Sequence, residues 1–238
     1  MPKYCVIDTE NTGLFRFKDE AGVPVPADAE GQPRLASLAM IFLDEDLNET
    51  DVVSLFIKPD GWSMPQGEGS AGEVNGLTDE FLHENGTPVL VALERYTAAI
   101  DDGYVMVAYN AQHDLKQMRA ELRRAGLDDR FDRTPNICAM RACNPLKIPK
   151  ANGKGGSPKL SDACAHFEIE NGEEHSALGD ARAAAEIFRR LHAMDALPEA
   201  KVHYAKVPPE AGRQTVDAPS VAPAMADVAP AGAFPERF

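Results

Sequence analysis

No apolar run in the 238 residues approaches the length of a membrane span, and the N-terminus lacks the pattern of a signal peptide. A helix that crosses the membrane needs about 20 consecutive apolar residues. A secretory signal needs a charged start, an apolar stretch and a cleavage site. We therefore expect a cytoplasmic protein without a membrane partner.

Cysteine is also scarce, with four residues and no CxxC pair. Cys138 and Cys143, together with His166, do not have the spacing of a standard zinc site. We interpret all four cysteines as reduced, partly buried thiols.

Basic residues are fewer than acidic ones, 24 against 38, so the net charge is −14. This charge argues against a protein that coats nucleic acid, which would be basic overall. It does not argue against an enzyme that holds a strand end through metal ions.

Acidic residues are absent from one segment, since no Asp or Glu lies between Arg133 and Lys159. Residues 144–159 form a predicted basic loop with four lysines: Lys147, Lys150, Lys154 and Lys159.

The hydrophobic pattern predicts an α/β domain with a mixed sheet. Strands are expected over 4–8, 35–43, 53–57 and 104–109, and the first three follow one another as in an antiparallel meander. Helices are expected after Thr78, over 88–103, after 110 and over 176–191. The composition turns rich in Pro and Ala near residue 207, so we expect a folded domain over 1–200 and a disordered tail over 207–238.

Asp8 and Glu10 end the first predicted strand. If the strand continues through Glu10, its period of two places both carboxylates on one face. Two acids at the end of an apolar strand are costly unless a cation compensates them. The alternative is two solvated acids where the strand meets its loop.

Three further residues lie near predicted helix starts: Asp114, His175 and Asp180. Asp114 and His175 each have a simple explanation alone, as a cap or a surface residue. Asp180 neighbours core positions of its helix, where a carboxylate is unusual without a partner. If the segments converge, however, four carboxylates crowd one place and repel each other unless they share cations. Carboxylate oxygens suit Mg²⁺ or Mn²⁺, and two such ions can support in-line displacement at phosphorus. A histidine with a near-neutral pKa is the natural base for the attacking water.

These segments resemble the motifs of the DEDD exonuclease superfamily, His subtype, which includes the proofreading subunit of bacterial replicative polymerases. Residues 8–13, D-T-E-N-T-G, resemble the first motif, D-T-E-T-T-G. Residues 110–114 resemble the second, N-x-x-F-D, and residues 175–180 resemble the third, H-x-A-x-x-D. Residues 74–78 resemble an H-G-I-T segment, and the likeness extends over about 4–191.

The resemblance implies a ribonuclease H-like fold, with a five-stranded mixed sheet flanked by helices. It implies a metal-dependent 3′→5′ exonuclease that releases nucleoside 5′-monophosphates. Two divalent cations, Mg²⁺ or Mn²⁺, would be held by Asp8, Glu10, Asp114 and Asp180, with His175 as general base. Substrate contacts would come from Thr9, Thr12 and Asn110 at the terminal nucleotide and from Leu14 at its base.

Three positions depart from the family pattern. Asn11 replaces a Thr, and Asn75 replaces a frequent His, which affects a local contact. His113 stands where the family commonly has Phe. It either packs as a ring in place of Phe or forms a second titrating group beside Asp114.

The favoured function is 3′→5′ digestion of DNA in replication or repair. The expected partner is nucleic acid with a free 3′ end, with single-stranded DNA favoured, and a DNA polymerase is a candidate partner. The four lysines of the basic loop are expected to contact backbone phosphates, and a solvated loop is the alternative. One rival function is RNA 3′-trimming by an oligoribonuclease-type enzyme. A second rival is a non-catalytic, polymerase-associated scaffold.

Overall fold

The structure is a computed structural model in which residues 2–172 and 175–202 are described. The tail predicted over 207–238 lies outside the described residues. Among the described residues, no helix has both the length and the apolar character that a membrane span requires.

A mixed sheet of five strands forms the centre of the fold, in the order β3-β2-β1-β4-β5. β1 pairs antiparallel with β2 and parallel with β4, β2 pairs antiparallel with β3, and β4 pairs parallel with β5. The predicted meander and mixed sheet are therefore confirmed. The strands are β1 (Tyr4–Asn11), β2 (Leu35–Leu43), β3 (Glu49–Phe56), β4 (Val105–Ala108) and β5 (Asn136–Cys138). The prediction for β3, 53–57, was wrong at its start, because the exposed polar residues 49–51 extend the ladder with β2.

Seven α-helices are present in the described part of the chain. They are α1 (Ala71–Asn75), α2 (Asp79–Asn85), α3 (Val89–Asp101), α4 (Ala111–Arg124), α5 (Ala139–Cys143), α6 (Leu160–Phe167) and α7 (Ala177–Ala193). The predicted cap of α2 is confirmed, since the hydroxyl of Thr78 accepts from the Phe81 N–H at 3.2 Å. Ser176 caps α7 in the same way through the Gly179 N–H at 3.0 Å.

Two apolar layers enclose the sheet. One contains alternate β1 residues such as Cys5 and Ile7, packed against α3 and α4. The other contains Val6 and the apolar stripe of α7. Because side chains alternate along a strand, Thr9 continues the α4 side of β1, whereas Asp8 and Glu10 continue the α7 side.

The segment 15–34, which connects β1 to β2, is tied to α4 at its end by a buried acid. Glu121 is 1% exposed, and its carboxylate accepts from the Arg34 side chain at 3.0 Å, the Leu35 N–H at 3.0 Å and Arg124 Nη1 at 2.8 Å. A buried carboxylate is tolerated when it is paired with cations and hydrogen-bonded in this way. The pairing fixes the start of β2 against the helix that carries Asp114.

Candidate metal and active site

Three of the predicted acids meet on the α7 side of β1. Asp8 and Glu10 project from β1, and Asp180 projects from the first turn of α7. One carboxylate oxygen of each lies within 4.8 Å of the others. Among residues 2–172 and 175–202, this is the one group of three or more Asp, Glu, His or Cys side chains close enough to share a cation.

The fourth acid, Asp114, approaches from the α4 side and is 4% exposed. Its Oδ1 accepts from the Thr9 N–H at 3.1 Å and from the Thr9 hydroxyl at 2.9 Å. Asp114 is therefore not a helix cap but a buried carboxylate fixed to β1. Thr9, between Asp8 and Glu10 in sequence, joins Asp114 to the strand that carries these two acids.

Burial and the charges of neighbouring acids act on Asp8 and Glu10. Burial first, and then the charges of Asp114, Glu10 and Asp180, hold the pKa of Asp8 well above its usual range. Burial and the charge of Asp180 raise the pKa of Glu10 to about 8. Such shifts are typical of carboxylates crowded in one site.

Asp114 accepts two hydrogen bonds from Thr9, and both oppose the effect of its burial. Burial raises its pKa to about 7, and Asp180 adds to this, whereas the two bonds from Thr9 lower the pKa. The cluster as a whole is short of positive charge and rich in hard oxygen donors. These donors fit divalent cations such as Mg²⁺ or Mn²⁺ and do not fit a sulfur-rich zinc site.

Two asparagines that the sequence did not assign to the site donate hydrogen bonds to Glu10 and Asp180. The Asn75 side chain donates to Glu10, which lowers the pKa of that carboxyl, and its Oδ1 accepts from the Leu77 N–H at 3.2 Å. Asn171 Nδ2 donates to Asp180 Oδ1 at 2.8 Å. Asp8, by contrast, accepts no hydrogen bond from the described residues. The motif departure at Asn75 could have indicated its role, but Asn171 lies outside every motif.

His175, the predicted base, lies exposed in the turn before α7, with a left-handed backbone (φ 65°). Its imidazole is outside the 4.8 Å carboxylate group formed by the described residues. Its role as general base stays a prediction. His113 is more buried. Burial, followed by the charge of Lys116, lowers its pKa.

The residues predicted to contact substrate differ in their surroundings. Thr9 is 6% exposed, and its hydroxyl is directed at Asp114. The Thr12 hydroxyl accepts from the Arg34 N–H at 2.9 Å and so closes the base of the 15–34 segment. Leu14 is 84% exposed just beyond β1, and Asn110 is exposed at the start of α4. Leu14 and Asn110 are thus accessible to a ligand.

The basic loop is attached to the domain at several points. The Tyr109 hydroxyl, beside Asn110, donates to the Pro158 and Lys159 carbonyls at 2.9 and 2.8 Å. Asp162 accepts from the Ala151 N–H and from the Lys159 N–H, both at 2.9 Å. The side chains of Lys147, Lys154 and Lys159 are exposed, and Lys150 Nζ donates to the Gly156 carbonyl at 2.8 Å.

The sequence matches the RNase_T exonuclease family over residues 5–188. The chain therefore belongs to this exonuclease family. The prediction that this protein is an exonuclease is confirmed at the level of the family. Exonucleases of this family use divalent cations and act on nucleic acid, in keeping with the acidic cluster. No curated protein matches the chain.

Solved structures confirm the ribonuclease H-like fold. E. coli exonuclease I in complex with a dT13 oligonucleotide is 19% identical, with a TM-score of 0.65, over 82% of this chain and 43% of that chain. Exonuclease I from Methylocaldum szegediense is 22% identical, with a TM-score of 0.65, over 81% of this chain and 41% of that chain. The nuclease domain of 3′hExo, a DEDDh family member bound to rAMP, is 15% identical, with a TM-score of 0.61, over 84% and 97% of the two chains. The chain thus spans less than half of the two exonuclease I chains.

Proposed function

We propose that this protein digests single-stranded DNA from its 3′ end in a reaction that requires two divalent cations, Mg²⁺ or Mn²⁺. The observation that carries the proposal is the Asp8 carboxylate. It lies among three other acids, its pKa is held high by burial and repulsion, and it accepts no hydrogen bond from the described residues. A bound cation stabilises a carboxylate in such a position, and carboxylate oxygens are ligands that hard divalent cations prefer.

The four acids would hold the cations: Asp8, Glu10 and Asp180 on the α7 side and Asp114 on the α4 side. When bound, the cations supply charge stabilisation for displacement at phosphorus. Thr9 keeps Asp114 in place, because its backbone N–H and hydroxyl both bind one oxygen of that carboxylate. Asn75 and Asn171 orient Glu10 and Asp180. Fixed ligands lower the reorganisation needed during reaction.

His175 is proposed to accept the proton of the attacking water. Its position in the turn before α7, five residues before Asp180, supports this role, because an exposed imidazole can reach a substrate bound at the cluster. Imidazole titrates near neutral pH and is suited to that task. Leu14 is proposed to pack against the terminal base, since its apolar side chain is 84% exposed directly after the acidic motif.

Single-stranded DNA is the favoured substrate, and RNA is the alternative. Among structurally similar proteins, E. coli exonuclease I is bound to dT13, whereas a 3′-exonuclease recognises the 3′ end of a histone mRNA stem-loop. A role in replication or repair, and a polymerase partner, belong to the DNA proposal. The catalytic domain is proposed to span 1–200, in keeping with the family match over 5–188.

The test uses DNA and RNA oligomers of one sequence, each labelled at the 5′ end. Wild type and Asp8→Ala are compared with Mg²⁺, with Mn²⁺ and with EDTA. The proposal predicts a ladder that shortens from the 3′ end on DNA and disappears with EDTA and in the variant. A ladder on RNA alone would replace the DNA proposal by the RNA one. Silence on both substrates would contradict the proposed activity and favour the scaffold.

A further inference from the structure

Two of the three positions that depart from the family pattern touch each other. Asn11 Nδ2 lies 3.0 Å from His113 Nε2, although the residues are 102 positions apart in sequence. The family pattern has Thr and Phe at these positions, and a Phe ring offers no acceptor for this hydrogen bond. Asn11 and His113 thus form a contact that a Phe at position 113 could not make.

The contact continues through Thr9 to a proposed metal ligand. Asn11 Nδ2 also lies 3.3 Å from the Thr9 hydroxyl oxygen and 3.3 Å from the Thr9 carbonyl oxygen. The Thr9 hydroxyl has one hydrogen, and that hydrogen is directed at Asp114 at 2.9 Å. The hydroxyl oxygen must therefore accept from Asn11, which fixes the amide nitrogen, and not its oxygen, on this side.

The orientation of the Asn11 amide determines which ring nitrogen of His113 carries the hydrogen. An amide nitrogen has only hydrogens to offer, so the facing Nε2 must present a lone pair. His113 is then a neutral imidazole with its hydrogen on Nδ1. The ring of Phe15 meets the imidazole edge-on, with centroids 5.9 Å apart, and restricts its rotation.

This arrangement costs stability. Asn11 is 6% exposed, and its buried Oδ1 accepts no hydrogen bond from the described residues. A buried acceptor without a protein donor is less favourable than a paired one. A Thr at position 11 would avoid the unpaired oxygen but would lose the link between His113 and Thr9.

We propose that Asn11 and His113 form a pair of positioning residues that lock Thr9 and, through it, orient Asp114 for cation binding. The pair acts only through Thr9 and touches no reacting atom. The inference rests on the proposed function, because Asp114 is a metal ligand only there. Outer hydrogen-bond partners of metal ligands commonly change metal affinity by about 10- to 100-fold when they are removed.

The first measurement needs neither activity nor metal. Nitrogen-15 NMR of the histidine rings, with the His113 signals assigned by their absence in His113→Phe, reports which ring nitrogen carries the hydrogen. The proposal predicts hydrogen on Nδ1 in the wild type and a changed signal in Asn11→Thr. Hydrogen on Nε2 in the wild type would overturn the proposal.

The second measurement is Mn²⁺ binding by calorimetry to metal-stripped wild type, Asn11→Thr, His113→Phe and the double variant. Each single change should weaken binding about tenfold, and the double change should weaken it no further, because the pair acts as one unit. Losses that add in the double variant, or single variants that bind like the wild type, would overturn the proposal. His83→Phe, on the exposed side of α2, is the matched control and should bind like the wild type.

Two further results distinguish a loss of the Asn11–His113 pair from a loss of folding, and the failure of this inference from the failure of the proposed function. His113→Gln retains a side-chain acceptor, so it should bind Mn²⁺ better than His113→Phe, and the reverse order would count against the pair. If the wild type degrades neither DNA nor RNA, the proposed function fails. The ring tautomer and the non-additive Mn²⁺ binding still decide the inference in that case.

Discussion

The acids on the two sides of β1 differ in their hydrogen bonds and in their spacing. On the α4 side, Asp114 is buried, and two hydrogen bonds from Thr9 fix one of its oxygens. On the α7 side, Asp8, Glu10 and Asp180 lie within 4.8 Å of each other, and Asp8 accepts no hydrogen bond from the described residues. The alternation of one strand thus separates an acid that two hydrogen bonds from Thr9 fix from a group of acids in which Asp8 has no such bond.

The difference indicates which acids fix the geometry of the site and which acids provide affinity for a cation. A carboxylate with its own donors is positioned before any ion arrives, as preorganised sites require. Carboxylates that repel each other are unfavourable alone, and they bind a cation more strongly for that reason. One side of the strand therefore fixes geometry, and the other provides affinity.

The largest effect is expected from a change on the α7 side. Asp8→Asn keeps the size of the side chain but removes its charge, and kcat on single-stranded DNA should fall at least about a thousandfold, the scale seen for loss of one catalytic group. The melting temperature of the metal-free variant should rise, because repulsion among the acids is relieved. An inactive variant that is also less stable would instead indicate a structural role for Asp8.

The next effect is a dependence of stability on pH, which tests the burial and crowding of the acids. The pKa of Glu10 is raised to about 8 and that of Asp114 to about 7, so the metal-free folded state keeps protons that the unfolded chain loses above about pH 4. The free energy of unfolding should therefore fall as pH rises from about 5 to 8, by on the order of a few kcal/mol. Urea denaturation in EDTA across this range measures the fall.

Saturating Mn²⁺ should reduce the dependence of the free energy of unfolding on pH, because a bound cation replaces the protons that neutralise the acids. Glu10→Gln, which removes one titrating group, should flatten the metal-free profile as well. Stability that increases with pH over the same window would contradict the raised pKa values and the burial and crowding that explain them.

A smaller effect is expected on the α4 side. Thr9→Val removes the hydroxyl donor to Asp114 but leaves the backbone N–H bond, so kcat should fall about tenfold. Thr9→Ser keeps a hydroxyl and is the matched control, with activity near that of the wild type. Equal activity of the two variants would show that the backbone bond alone positions Asp114.

The smallest effect belongs to a region away from β1. The change of Lys147, Lys150, Lys154 and Lys159 to Gln removes four exposed or partly exposed charges. If these lysines bind phosphates, the slope of log affinity against log salt for single-stranded DNA should fall by about 0.7 for each phosphate that is no longer neutralised. An unchanged slope would show that the basic loop is only solvated.

Much of this site could be predicted from the sequence. Asp8 and Glu10 share a face because β1 continues beyond residue 8, and the strand period then determines their side. The helix starts before Asp114 and Asp180 followed from local signals as well. The meeting of these segments, however, needed the resemblance to a family, because the local pattern of each allowed a simpler explanation.

Other features could not be read from local sequence. β5 has three residues, too few for a periodic pattern, and it lies in the segment between Arg133 and Lys159 that contains no acidic residue. Asn171 binds Asp180 from outside any motif. The contact between Asn11 and His113 joins positions that are distant in the chain. Such pairs depend on how helix and strand pack, and a one-dimensional pattern does not contain that information.

The most direct test of the central claim is Mn²⁺ binding in the absence of nucleic acid, measured by calorimetry on metal-stripped wild type and Asp8→Asn. If the acids on the α7 side of β1 are completed by cations, the wild type binds Mn²⁺ and the variant loses that binding. A wild type that binds no Mn²⁺, or a variant that binds it equally well, would contradict the account.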